Sequence, residues 1–195
     1  MSRDAGVPGL PVKIALSVFS AASMVLLVAC GGSGPSAESR ELYLTADQYR
    51  LAGDLVTAVD AYSAAIADSP EYARAYLARA DTLRDLGRRP EALLDYARAL
   101  ELDESLASDV YVNRGVAHLA ANEIQRAIED FERALLIEPD DQDALANRGL
   151  AKARTGALAE GLIDLDAAIT IAPNDFFFGL MTRGLVRALA GQVEG

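Results

Sequence analysis

The sequence predicts an all-α fold, an α-α superhelix of stacked helix pairs, and three observations predict it. Alanines recur at spacings of 34, 35 and 34: Ala65, Ala99, Ala134 and Ala168. A bulky slot keeps step with them, reading Tyr62, Tyr96, Phe131 and Leu165. A turn slot does the same, reading Gly53, Gly87, Asn122, Gly156 and finally Gly191. Independent positions sharing one long period mark a chain built from one unit, which buries its apolar face only against copies of itself.

The unit is plainest from Ser108 to Asp141. Its helices are expected over Asp109–Ala121 and Glu123–Ile137, meeting at Ala121-Asn122 and closed by Pro139. Gly115, Ala127 and Ala134 fall where two backbones must come close, and Tyr111 and Phe131 fill the space between. A first unit, about Ser39–Tyr72, places helices near Arg40–Ala52 and Leu55–Asp68. A second, about Ala73–Leu106, places them near Ala73–Leu86 and Pro90–Leu102, with Pro90 in the first turn where a missing N–H costs little. The fourth, about Gln142–Asp175, has helices near Asp143–Thr155 and Leu158–Ile171. Aspartates crowd the inter-unit turns, as at Asp140, Asp141 and Asp143, because they favour helix N-termini. Unit two has Glu104 where the others close on Pro70, Pro139 and Pro173, and Ala107 is an extra residue. The junction between units two and three is therefore expected to be looser or rotated. A last helix, about Phe177–Ala190, opens a fifth unit. Leu180, Met181, Leu185, Val186 and Leu189 cover more than one of its faces, so it is expected to dock, in cis or by self-association.

Three slots carry a resemblance. Small residues hold the eighth (Ala46, Ala80, Gly115, Gly149, Gly184) and the twentieth (Ala58, Ala92, Ala127, Gly161), and proline the thirty-second. From Ser39 onward the chain resembles the tetratricopeptide repeat family. The resemblance implies a groove lined by the first helices through slots two, five, six, nine, twelve and thirteen. In the first two units those slots supply Arg40, Tyr43, Asp47, Arg50, Arg74, Leu77, Asp81 and Arg84. In the next two they supply Val112, Asn113, Val116, Leu119, Ala146, Asn147, Leu150 and Arg154. One half of the groove is thus charged and mixed in sign, the other apolar with two amides. Asn113 and Asn147 share the sixth slot, where asparagines of some family members bond the backbone of an extended peptide. An amide offers both donor and acceptor to a peptide unit; the alternative is a solvated helix asparagine. The chaperone-tail clamp of some relatives is not expected, since its slots hold Tyr43, Asp47 and Leu77. The implied function is a scaffold that binds a partner protein or peptide, or else a structural homo-oligomer built through the C-terminal helix.

A second ladder accompanies the first. Arg79, Arg114, Arg148 and Arg183 hold the seventh slot; Asp95, Asp130 and Asp164 hold the twenty-third. Their joint presence predicts Arg–Asp pairing, within or across repeats, because guanidinium geometry suits half-buried carboxylates. The alternative is an arginine ladder for acidic ligands. Catalysis is not expected. His118 is the sole histidine and occupies a core slot, and no nucleophile–base set, H-E-x-x-H or phosphate-cradling glycine loop follows residue 38. Asp164 and Asp166 lie two apart on one helix and cannot act as a dyad. No metal site or cofactor is called for: one cysteine supports neither a disulfide framework nor structural zinc, and the aspartate turns lack the glycine and terminal glutamate of a calcium loop.

A net charge of −11, with no basic stripe, disfavours nucleic acid, and no nucleic-acid partner is expected. The N-terminus predicts the membrane instead. Residues Ile14 to Ala29 are apolar with small interruptions. As a helix they extend ~24 Å, short of a ~30 Å hydrocarbon core, which suits a signal peptide over residues 1–29. Leu27-Val28-Ala29-Cys30 resembles the lipobox of bacterial lipoproteins, and residues 30–38 read as lipidated Cys30 and a flexible linker. That resemblance implies cleavage before Cys30 and acylation of it; two or more acyl chains anchor stably where one does not. Gly31 is not the aspartate that retains some such proteins at the inner membrane, so an outer-membrane envelope location is favoured. The domain that follows spans 39–195.

Overall fold

A computed structural model describes residues 34–171 and 177–193. Cys30, the leader before it and Pro173 lie outside the described residues. Among the described residues there are nine α-helices, one 3-10 turn and no strand. The helices are α1 (Ala37–Leu51), α2 (Leu55–Asp68), α3 (Ala73–Asp85), α4 (Arg89–Leu102), α5 (Ala107–Ala120), α6 (Ile124–Ile137), α7 (Gln142–Arg154), α8 (Leu158–Ile171) and α9 (Phe177–Val193). No described helix is long and apolar enough to cross a membrane.

Consecutive helices pair as α1–α2, α3–α4, α5–α6 and α7–α8, and each pair stacks on the next. Each pair turns through the predicted slot. Gly53, Gly87 and Gly156 have φ of 81°, 75° and 90°, a region that costs glycine nothing. Asn122 takes the same place at φ 61°, tolerable because a short amide side chain visits this region. Tyr62, Tyr96, Phe131 and Leu165 are fully buried, each against the small slot-eight residue of its own repeat. The fit is tightest in repeats three and four. A Cβ on Gly115 would lie 2.6 Å from the Phe131 ring, and one on Gly149 would lie 2.8 Å from the Gly161 carbonyl.

The arginine ladder resolves into pairs within repeats. Arg79 donates to Asp95 through Nε and Nη2 at 2.7 and 2.8 Å. Arg114–Asp130 and Arg148–Asp164 repeat that geometry at 2.7–2.8 Å. Arg183 meets no residue at the twenty-third slot; it reaches Asp166 of α8 at 3.1 Å. Arg79 also donates to Ser63 of the previous repeat at 2.9 Å, so the pair joins neighbours as well.

The extra residue changes the second junction. A 3-10 turn, Glu104–Leu106, runs straight into α5, which begins at Ala107 instead of the expected Asp109. Leu106 drops into the core of repeat two. The contact of α4 with α5 is much sparser than that of α2 with α3, α6 with α7 or α8 with α9. Charged groups bridge the gap: Arg89 at the start of α4 reaches Glu123 at 2.7 Å, and Glu123 holds His118 Nδ1 at 2.7 Å. The Arg89 and His118 contacts pull the Glu123 carboxyl down to about 2. At the far end, α9 docks in cis on α8 and α7. Thr182 and Val186 are buried there, while Leu180, Met181, Leu185 and Leu189 stay exposed.

Candidate functional site: the concave wall of repeats one to three

Where α1, α3 and the start of α5 run side by side, they wall a cavity of about 300 Å³. Tyr43, Asp47 and Arg50 come from α1; Arg74, Leu77, Ala78 and Asp81 from α3; Leu106 and Asp109 from the junction. Six of these are the groove residues expected from the sequence. Ala78 and Asp109 hold the sixth and second slots of their own repeats, and Leu106, which holds no groove slot, was signalled only by the one-residue insertion beside it.

The wall is organised by its buried tyrosines. A buried phenol needs a partner for its hydroxyl. Tyr96 donates to Asp81 at 2.6 Å, and Arg84 braces the same carboxylate at 3.2 Å. Tyr62 donates to Asp47, with Arg50 3.6 Å from that carboxylate. In repeats three and four the aromatic slot holds Phe131 and Leu165, which carry no hydroxyl. There the ninth and twelfth slots become Val116 with Leu119, and Leu150 with Ala153. Three slots thus switch together from polar to apolar, which is why the groove has two halves.

Electrostatics follow. Burial raises the Asp81 carboxyl above its ordinary value, against the Tyr96 hydroxyl and Arg84 that favour its charge. Burial and then Asp47 raise the Tyr43 hydroxyl, whose ring leans on Tyr62 and Tyr72 at 5.5 and 5.3 Å between centroids.

Other predicted groove residues fall differently. Val112, Leu119 and Ala146 are buried at 9%, 6% and 0% exposure, so these three are core, not wall. Each sits beside a wall position, and one residue of helix turns a side chain by about 100°. Val116 and Leu150 are half-buried, and Val116 packs on the core of repeat three. Asn113 donates to Asp81 at 3.2 Å, and Asn147 turns its amide onto the Asp143 carbonyl of its own helix at 2.9 Å. Arg154 bonds the Leu119 carbonyl and Asn122 at 3.3 and 2.9 Å, tying repeat four to the turn of repeat three. His118 is buried in the Glu123–Asp130 network, as its core slot implied. Among the described residues no group of three His, Cys, Asp or Glu is placed to hold a metal.

Models of the tetratricopeptide repeat match residues 43–109 and 114–190. The Hsp70-Hsp90 organizing protein of Triticum aestivum is 32% identical over 88 residues, covering 45% of this chain and 15% of that protein. Serine/threonine-protein phosphatase 5 of Rattus norvegicus is 31% identical over 111 residues, covering 57% of this chain and 22% of that one. The chain therefore spans less than a quarter of the length of either relative. Among solved structures, PilW, a type IV pilus biogenesis factor, superimposes with a TM-score of 0.73 at 21% identity, over 82% of this chain and 73% of its own. MamA of Desulfovibrio magneticus gives 0.69 at 14% identity, over 81% and 88%. These two likenesses are of fold.

Proposed function

Because the chain belongs to the tetratricopeptide repeat family, we propose that it is a membrane-tethered adaptor: its concave wall holds an extended segment of a partner protein, and acylated Cys30 anchors it in a bacterial envelope. The observation that carries the reading is the cavity of about 300 Å³ walled by three successive first helices. Its Asp47 and Asp81 are already held by the chain's own Tyr62 and Tyr96, so the polar wall needs little reordering on binding. The wheat relative's name, an organizer of Hsp70 and Hsp90, fits a protein that holds other proteins. Nothing in this activity requires chemistry, and we assign no catalytic residue. The lipid anchor rests on the lipobox ending at Cys30 and the glycine-serine tether after it.

A photo-crosslinking residue at Arg50 or Asp109 is expected to capture a partner in intact cells, and one at exposed Ala97 on α4 is not. Equal capture from both faces would refute the groove. Cys30→Ser is expected to abolish acyl labelling and release the protein from the membrane fraction; unchanged labelling rejects the anchor. A second reading, self-assembly through α9, draws on exposed Met181 and Leu185, at 60% and 58%. It predicts that Leu185→Asp lowers the mass in solution while Asn113→Ala with Asn147→Ala leaves it unchanged.

A further inference from the structure

Sixteen of the chain's 18 basic residues lie in the described part. Thirteen reach a carboxylate. Arg154 is held by a carbonyl and an amide. Of these sixteen described cations only Arg40 and Arg74 make no side-chain hydrogen bond or ion pair, although acidic groups outnumber basic ones. These two share the second slot of adjacent repeats. Arg74 lines the cavity; the charges of both arginines act on Tyr72, and that of Arg74 also acts on Asp103 without bonding it. Local stability does not account for them. Arg40 is the fourth residue of α1 and Arg74 the second of α3, and a helix dipole disfavours cations in its first turn. In the next two repeats the same slot holds Asp109 and Asp143, the sign a helix start prefers. The row therefore reads plus, plus, minus, minus along the groove.

We infer that Arg40 and Arg74 seat an acidic side chain of the partner segment, and that a basic residue of the same segment lies against Asp109. The inference rests on the groove reading above and gives it a chemistry and a direction. Two guanidinium groups that bond no carboxylate of the chain can form charge-assisted bonds to an incoming one without breaking any of their own. Asp109, on the same cavity wall, repels a second acid and attracts a cation, which selects a mixed-charge peptide over a polyanion.

The test uses the full chain against an array of random ten-residue peptides. Captured peptides are expected to share an Asp or Glu, with a Lys or Arg further along. The Arg40→Ala, Arg74→Ala double variant should melt like the parent, since it breaks no bond, and bind those peptides about tenfold more weakly. Arg74→Glu should remove the acidic preference, and Asp109→Lys the basic one. If peptides bind the wall with no charge preference, or the double variant binds undiminished, the seat is wrong and the groove stands. If no peptide binds any form, both fall. If inorganic phosphate at matched ionic strength occupies the arginines as tightly as the peptides do, the site is a general anion site and the inference is overturned.

Discussion

Asp130 is 4% exposed and carries a bidentate guanidinium from Arg114, so the two must be considered together. Removing one partner leaves a buried charge, whereas replacing both with apolar groups does not. Arg114→Ala is expected to cost ~3 kcal/mol in urea denaturation, and Arg114→Met with Asp130→Leu to recover most of it. An unchanged midpoint in the single variant would show that the pair carries no stability. Asp164 is held the same way. Burial acts to raise its carboxyl, yet bonds from Arg148 and Lys152 leave it below the usual range. A depressed folded value means stability that is present above the unfolded carboxylate value of about 3.9 and lost as pH falls below it. The Tyr96–Asp81 bond has the same two-sided character. Tyr96→Phe removes the shortest of the three bonds to a half-buried carboxylate, leaving those from Arg84 and Asn113, and is expected to cost ~1 kcal/mol. Adding Asp81→Val and Arg84→Leu, the set that repeat three already uses, should restore part of it. Additive losses in that cycle would show the three slots to be independent.

At the scale of the helix pair, repeat four departs from its siblings. Its twentieth slot is Gly161 where the others carry Ala58, Ala92 and Ala127. The sequence makes Gly161→Ala look like a return to the common residue. In the structure a Cβ there would lie 2.6 Å from the Gly149 carbonyl, a backbone atom that cannot rotate away. Gly161→Ala is therefore expected to lower stability by about 1–3 kcal/mol, opposite in sign to the gain that helix propensity alone predicts. Thermal denaturation of the single variant decides it. Helix bounds lie within three residues of those read from the sequence, because period, turn glycine and capping are local signals. The 3-10 turn was not legible: Glu104–Leu106 forms because one inserted residue must be absorbed while Leu106 stays buried, which is a matter of packing.

For the whole molecule, stability in a stack of repeats is a sum over neighbours, so the sparsest interface sets where it opens. That interface lies between α4 and α5, bridged by Arg89, Glu123 and His118. With its carboxyl held at about 2, Glu123 ties the junction at any pH above the ordinary glutamate value of about 4.3, and the tie weakens as pH falls toward 2. Hydrogen exchange in α5 is thus expected to quicken in Glu123→Gln at pH 6, and the difference from the parent to shrink below pH 3. A gap that persists there would assign the protection to packing alone.

By itself the sequence determined the repeat, the helices, the turns and the two-halved character of the groove, because each is written as residue type at a fixed spacing. Only the tertiary structure decided which slots face the cavity and which face the core. Val112 is buried and its neighbour Asn113 is bonded to the preceding repeat, a difference of one helical step that spacing cannot assign. The structure also decided which cations are spent. Pairing depends on whether a carboxylate from another helix comes within reach, and that is fixed by how the helices stack. Arg79 has its aspartate sixteen residues on, and Arg74, five residues before it, bonds none among the described residues.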